Sequence, residues 1–272
     1  MKKVAIAVVV SVLLIPFTCF GQDELSGEID VTYLTSKIWR GFDYYPDDHS
    51  AMETSVDLDL YGSGFGVKVY YARAISDDFE NEQDLAGTFY YSNSLMEGQD
   101  YQLNYTAGWT YYGYPDAPRS GSPSGEVADM QEVFASFSWP NMFANGVVPS
   151  YTMLSMWPSE GESQARSNSG WAHIFGLDYG MEVTCPLTDT ERIIDLSAKA
   201  VYNDGVAPGI MTGGSSGSVE HDWSHAVFGA STDFVIAENM IFTPGFYYQS
   251  SWEDTVNTED EWWASMNLNY RF

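Results

Sequence analysis

The sequence predicts a single all-β domain, an antiparallel barrel of about twelve strands that spans a membrane with both termini on one side. Three observations predict it. Twelve segments alternate apolar and polar residues with period two, the spacing that puts one kind of side chain on each face of a strand. The connections between them alternate long with short, as in outer-membrane barrels. No internal apolar run is long enough for a membrane helix.

Before the first strand, MKKVAIAVVVSVLLIPFTCFGQ carries two lysines, an apolar run from Val4 to Phe17, then small or weakly polar residues. That is the pattern of an export signal, with cleavage expected after Gly21. Residues 1–21 are read as the leader and 22–272 as the barrel domain. Pro16-Phe17-Thr18 before Cys19 fits a lipid-attachment site poorly. Removing the leader takes away Lys2 and Lys3 and moves the formal charge from −27 to −29. Such a surface repels nucleic acid, which needs basic residues on its partner. Cys185 is then the one cysteine left, so no intramolecular disulfide can form.

The strands are expected in the following order. Residues 27–39 alternate, though less cleanly than most. Residues 51–60 set Met52, Thr54, Val56, Leu58 and Leu60 against Glu53, Ser55, Asp57 and Asp59. The turn Tyr61-Gly62-Ser63-Gly64 leads to 65–73, which puts Leu60 opposite Phe65 and Asp57 opposite Lys68. Residues 84–92 follow. Residues 100–112 set Tyr101, Leu103, Tyr105, Ala107, Trp109 and Tyr111 against smaller polar residues. Residues 130–138 and 147–157 come next, then 170–182 with Trp171, His173, Phe175, Leu177 and Tyr179 on one face. Residues 192–203, 222–235 and 239–250 precede 261–272, where Trp262, Ala264, Met266, Leu268, Tyr270 and Phe272 share a face.

A soluble barrel would alternate too. Two features favour lipid. Aromatics stand near both ends of the apolar faces, as at the two interfaces of a membrane, and the opposite faces are small and polar, as a wet interior requires. In lipid only a closed sheet satisfies every backbone group.

The stretch YLTSKIWRGFD (Tyr33 to Asp43) resembles the opening motif of the TorF-like family of outer-membrane porins. SVDLDLYGSGFGVKVYYA resembles the strand–Gly turn–strand that follows there. GWTYYGYPDAP with Glu132-Val133 resembles that family's aromatic segment and acidic residue. The resemblance covers residues 26–140 and the ending. Lys37-Ile38-Trp39 before Arg40 departs from it, since the family usually has an aromatic such as Tyr there. It implies a channel-like role and brings no catalytic residues. The ending, with Tyr270 and Phe272, also resembles the signal read by the barrel assembly machinery.

On the polar face, Glu28, Asp30, Glu53, Asp57, Asp59, Glu132, Asp178, Asp195, Asp233 and Glu261 stand against Lys68, Lys199 and Arg271. The residues expected to line the lumen are Glu53, Asp57, Asp59, Lys68, Asp195, Lys199, Asp233 and Arg271. An acidic lining favours cations. The expected function is therefore a narrow pore for passive diffusion of small solutes, cation-leaning. It would lie in a bacterial outer membrane, with lipid, lipopolysaccharide, the assembly machinery and small solutes as partners. A closed barrel acting through its long acidic loops is the alternative, and a barrel hydrolase a third.

No enzyme, metal or cofactor is expected. Ser224 and His225 are adjacent, which on a regular strand points them to opposite faces. His173 lies among aromatics, and His221, Asp222 and His225 lack a strand-face spacing. The acidic run AISDDFENEQD lacks the ligand spacing of a calcium loop.

Overall fold

The computed structural model describes residues 24–45, 49–75, 83–115, 129–159, 169–184, 191–207 and 219–272. The expected leader, the acidic residues 77–82, the Pro/Gly/Ser-rich stretch 116–128 and Cys185 lie outside the described residues.

Among the described residues fifteen strands form. They are β1 (Ser26–Leu34), β2 (Ile38–Trp39), β3 (Phe42–Asp43), β4 (Ala51–Asp59), β5 (Phe65–Ala74), β6 (Asp84–Leu95), β7 (Leu103–Gly113), β8 (Met130–Ser138) and β9 (Val148–Pro158). They continue with β10 (Gly170–Thr184), β11 (Glu191–Asp204), β12 (His221–Ser231), β13 (Phe234–Ala237), β14 (Met240–Ser251) and β15 (Glu261–Arg271). β12 and β13 both pair with β14 and act as one wall strand interrupted at Thr232-Asp233. The wall therefore has twelve antiparallel strands, each beside its sequence neighbour.

The sheet closes where β1 meets β15, from Glu28↔Arg271 to Leu34↔Ser265. Gly27 and Phe272 complete the seam by exchanging two backbone hydrogen bonds of 3.0 Å. Closure leaves no strand edge unpaired at the seam, which lipid demands.

Burial is inverted relative to a soluble protein. Phe89, Trp109, Leu177, Phe246 and Leu268 are exposed, while Ser55, Asp84, Thr110, Glu132, Gln249 and Asn269 are buried. The apolar side chains point out and the polar ones in, so the surrounding medium is lipid. Inside, hydroxyls pair across strands: Thr88 with Thr110 at 2.9 Å, Ser92 with Thr106 at 2.8 Å, and Ser136 with Thr152 at 2.8 Å. Phe89 is 48% exposed in the middle of β6. Phe89→Arg should cost about 2–4 kcal/mol of folding free energy in bilayers. Urea titration in lipid vesicles checks it, and a change below 1 kcal/mol would argue against lipid on this face.

The first strand is shorter than its alternation predicts. It stops at Leu34 rather than Trp39, and the chain turns inward. Alternation continues past Leu34 because a second, smaller hairpin follows, β2 paired with β3. Apart from this end and the break at Thr232-Asp233, the expected strand ends lie within three residues of those observed.

Candidate functional site

The hairpin β2–β3 lies inside the barrel at the end that carries the long connections. Its base is fixed at Thr35, whose amide donates to the Ala264 carbonyl at 3.0 Å and whose hydroxyl accepts the Ala264 amide at 2.8 Å. Its turn is Arg40-Gly41, with φ of 52° and 90°. Two positive φ values make the tight turn whose twist suits a two-residue hairpin. Gly41 has a second reason to be glycine: a Cβ there would lie 2.5 Å from His225 Nδ1.

Two cations tie the hairpin to the wall. Lys37 is 1% exposed; its Nζ lies 3.1 Å from Asp84 Oδ2 and 4.0 Å from the centre of the Tyr44 ring. The Arg40 guanidinium donates to Glu132 Oε2 at 2.5 Å and sits over the Trp39 ring. Tyr112 donates to the same Glu132 oxygen at 3.4 Å. Burial, the largest single influence, would lower the Arg40 pKa; the Glu132 carboxylate and the Tyr112 hydroxyl together outweigh it and hold the guanidinium above its ordinary value. On the far side, Gln249 Nε2 donates to the Gly41 carbonyl at 2.8 Å. Tyr44 and Tyr45 pack with Tyr114, Met130, Leu154 and Met156 into a buried core. Burial raises the Tyr44 hydroxyl well above its usual pKa, so it stays neutral. Phe42, at the tip, packs with Ala207, Val219 and Val256 from the connections above. The hairpin thus reaches from β6 and β8 across to β12 and β14.

Toward the short-turn end the interior holds a cavity of about 410 Å³. Its lining includes Asp178, Asp195, Lys199, Ser231 and Tyr247, with Gly146 at the β8–β9 turn. Two acids and one base among these residues make this section net negative.

The expected lining residues fall into three places. Asp195 and Lys199 share the cavity. Glu53, Asp57 and Lys68 sit on β4 and β5, six strands away and so opposite β10 and β11. There Asp57 and Lys68 are cross-strand partners with 3.7 Å between their charged groups, as the turn spacing implied. Tyr90 donates to Asp57 at 2.6 Å and Tyr70 to Glu53 at 2.5 Å. The others are at the rim: Asp59 accepts the Gly62 amide, Asp233 accepts from Thr243 Oγ1, and Arg271 approaches Glu28 at 3.9 Å. Tyr270 and Phe272 stand exposed on the last strand and just beyond it.

Lys37, Arg40, Asp84 and Gln249 were absent from that expectation. The available signal was Arg40-Gly41 between two apolar-containing pairs, which is turn chemistry. Ser224 and His225 require a correction. Val201 pairs with His225 but Tyr202 with Trp223, leaving Ser224 as an extra residue in the register. This bulge turns both side chains inward, with Ser224 Oγ 2.8 Å from His225 Nδ1. Both side chains are buried. His173 points outward and pairs with the Tyr151 hydroxyl at 2.8 Å, and His221 pairs with Asp204. Among the described residues no three His, Cys, Asp or Glu side chains form a metal-binding group.

No family model and no curated protein matches the sequence. Solved structures do. The KdgM porin aligns over 90% of this chain and 99% of its own, with TM-score 0.51 and 9% identity; it has also been solved in complex with disordered oligogalacturonate. The COG4313 outer membrane channel from Pseudomonas putida F1 covers 95% and 100%, with TM-score 0.48 and 11% identity. Outer membrane phospholipase A from Escherichia coli covers 94% and 93%, with TM-score 0.47 and 10% identity. At such identities the likeness speaks to the fold alone.

Proposed function

We propose that the protein is a bacterial outer-membrane channel for small solutes, with a preference for cations. Its termini and short turns face the periplasm and its long connections face outward. The observation that carries this reading is the 410 Å³ cavity, with Asp178 and Asp195 against Lys199, inside a closed wall with a polar inner face. Carboxylates in a confined path raise the local concentration of cations and repel anions. Oligogalacturonate belongs to the KdgM complex. A polyanion of that kind suits this cavity badly, because Asp178 and Asp195 outnumber Lys199 in its lining.

The resemblance of Tyr33–Asp43 to the TorF-like porins agrees with a channel role. Lipid and lipopolysaccharide cover the outer face, and Tyr270 and Phe272 present the ending to the assembly machinery. The hairpin across the other mouth favours a second reading, a closed barrel that acts through its long connections.

Single-channel recording in a planar bilayer under a salt gradient separates the two. Openings should show a reversal potential of cation-selective sign, and Asp178→Asn with Asp195→Asn should bring it toward zero. Anion selectivity, or selectivity indifferent to both substitutions, would sink the cation preference. Silence from inserted protein, with and without the hairpin, would favour the closed barrel.

A further inference from the structure

We propose that the hairpin between Ser36 and Tyr45 is a displaceable gate, strapped shut from outside by the connection from Trp252 to Asp260. The inference rests on the channel reading and adds its regulation.

The hairpin is attached differently from the wall. Neighbouring wall strands hold one another through continuous backbone ladders. The hairpin has two such pairs, both within itself. Its links to the far wall are side-chain links: Lys37 to Asp84, Arg40 to Glu132, and Gln249 to the Gly41 carbonyl. The seat is also imperfectly satisfied. Among the described residues, Ser36 Oγ, Arg40 Nε, Asp84 Oδ1 and Gln249 Oε1 are buried without a hydrogen-bond partner. Unpaired buried polar atoms weaken the seated state relative to one in which they meet water. An element held in this way opens before the ladders do.

The way out is covered. Val256 packs on Phe42, and a Cβ on Gly41 would come within 2.8 Å of Val256 Cγ1. The segment that carries Val256 is itself tied down. The amides of Trp252 and Glu253 donate to the Ser224 carbonyl at 2.8 and 3.2 Å. The Glu220 amide donates to Thr255 Oγ1 at 2.9 Å, which joins this connection to the one between β11 and β12. At its end, Asp260 accepts from the Ser251 amide at 2.8 Å and the Tyr248 hydroxyl at 2.6 Å. The hairpin can swing outward about Thr35 only after this strap lifts. The strap lies on the side of the long connections, so the gate answers to whatever moves those connections.

The test uses full-length mature protein refolded into bilayers, in a Cys185→Ser background. Cysteines replace Phe42 and Val256 and are joined by oxidation or, where the sulfurs do not meet, by a short dithiol-reactive linker. A second variant replaces residues 36–45 with a Gly-Ser linker. Cold-gel mobility confirms folded barrels in each case. The cross-linked protein should lose its openings at least tenfold, and reversing the link should restore them. The linker variant should conduct steadily. Cross-linked protein that opens as often as the uncross-linked form, while the linker variant conducts, overturns the gate and leaves the channel standing. A folded linker variant that passes no current overturns the channel reading itself.

Discussion

Asp84→Ala should expose the hairpin to protease while leaving the barrel folded. Lys37 and Asp84 are 1% and 4% exposed, so the substitution strands an ammonium group among the rings of Tyr44, Tyr45 and Tyr70. Breaking a buried pair by removing one partner costs about 3–5 kcal/mol, because the remaining charge is left uncompensated. The hairpin can avoid that cost by leaving its seat, whereas the wall is held by ladders that do not involve Asp84's side chain. Trypsin cuts after Lys and Arg, so brief digestion of the refolded variant should give new ends after Lys37 and Arg40. Wild type should resist at both. Adding Lys37→Met removes the stranded charge and should restore resistance at Arg40. An Asp84→Ala barrel as resistant as wild type would show that the pair does not hold the hairpin.

Gly41→Val should have an effect of similar size by a different route. At φ 90° the backbone is in a region that residues with a Cβ rarely occupy, a strain of about 1–3 kcal/mol. The new side chain would also overlap the His225 ring and Val256, whose nearest atoms are 2.5 and 2.8 Å from the Cβ position. Overpacking of this kind adds about 1–3 kcal/mol. The seated hairpin should be lost, with more frequent channel openings and cleavage after Arg40. His225→Ala in the same chain should recover only the overlap with the ring, because the backbone strain stays. Full recovery in the double variant would mean that the turn geometry contributes nothing.

The wall was legible in the sequence because period two is a local signal. Each strand declares its two faces within ten residues, and lipid outside with polar groups inside makes the contrast strong. Asp57 opposite Lys68 was legible for the same reason, since a short turn fixes the register. The hairpin was not. Its alternation runs on from β1, so Lys37 and Trp39 looked like one more turn of the same strand. Its partners are remote in the chain: Lys37 and Asp84 are 47 residues apart, Arg40 and Glu132 are 92, and Gly41 and Gln249 are 208. Period two says nothing about which side chains meet across a lumen. Ser224 and His225 were misread because a single extra residue in the register inverts the faces, and nothing local marks it.

The seam between β1 and β15 has a consequence for assembly. A tube sealed by its first and last strands encloses nothing until β15 arrives, and the segment that fills its mouth is attached directly after β1. Either the stopper waits in an unfinished trough with half its contacts still missing, or it enters by the mouth after the tube is sealed. Gly41 meets Gln249 only when both ends of the domain have come together. Its seating should therefore be among the last events of folding, later than the wall that surrounds it.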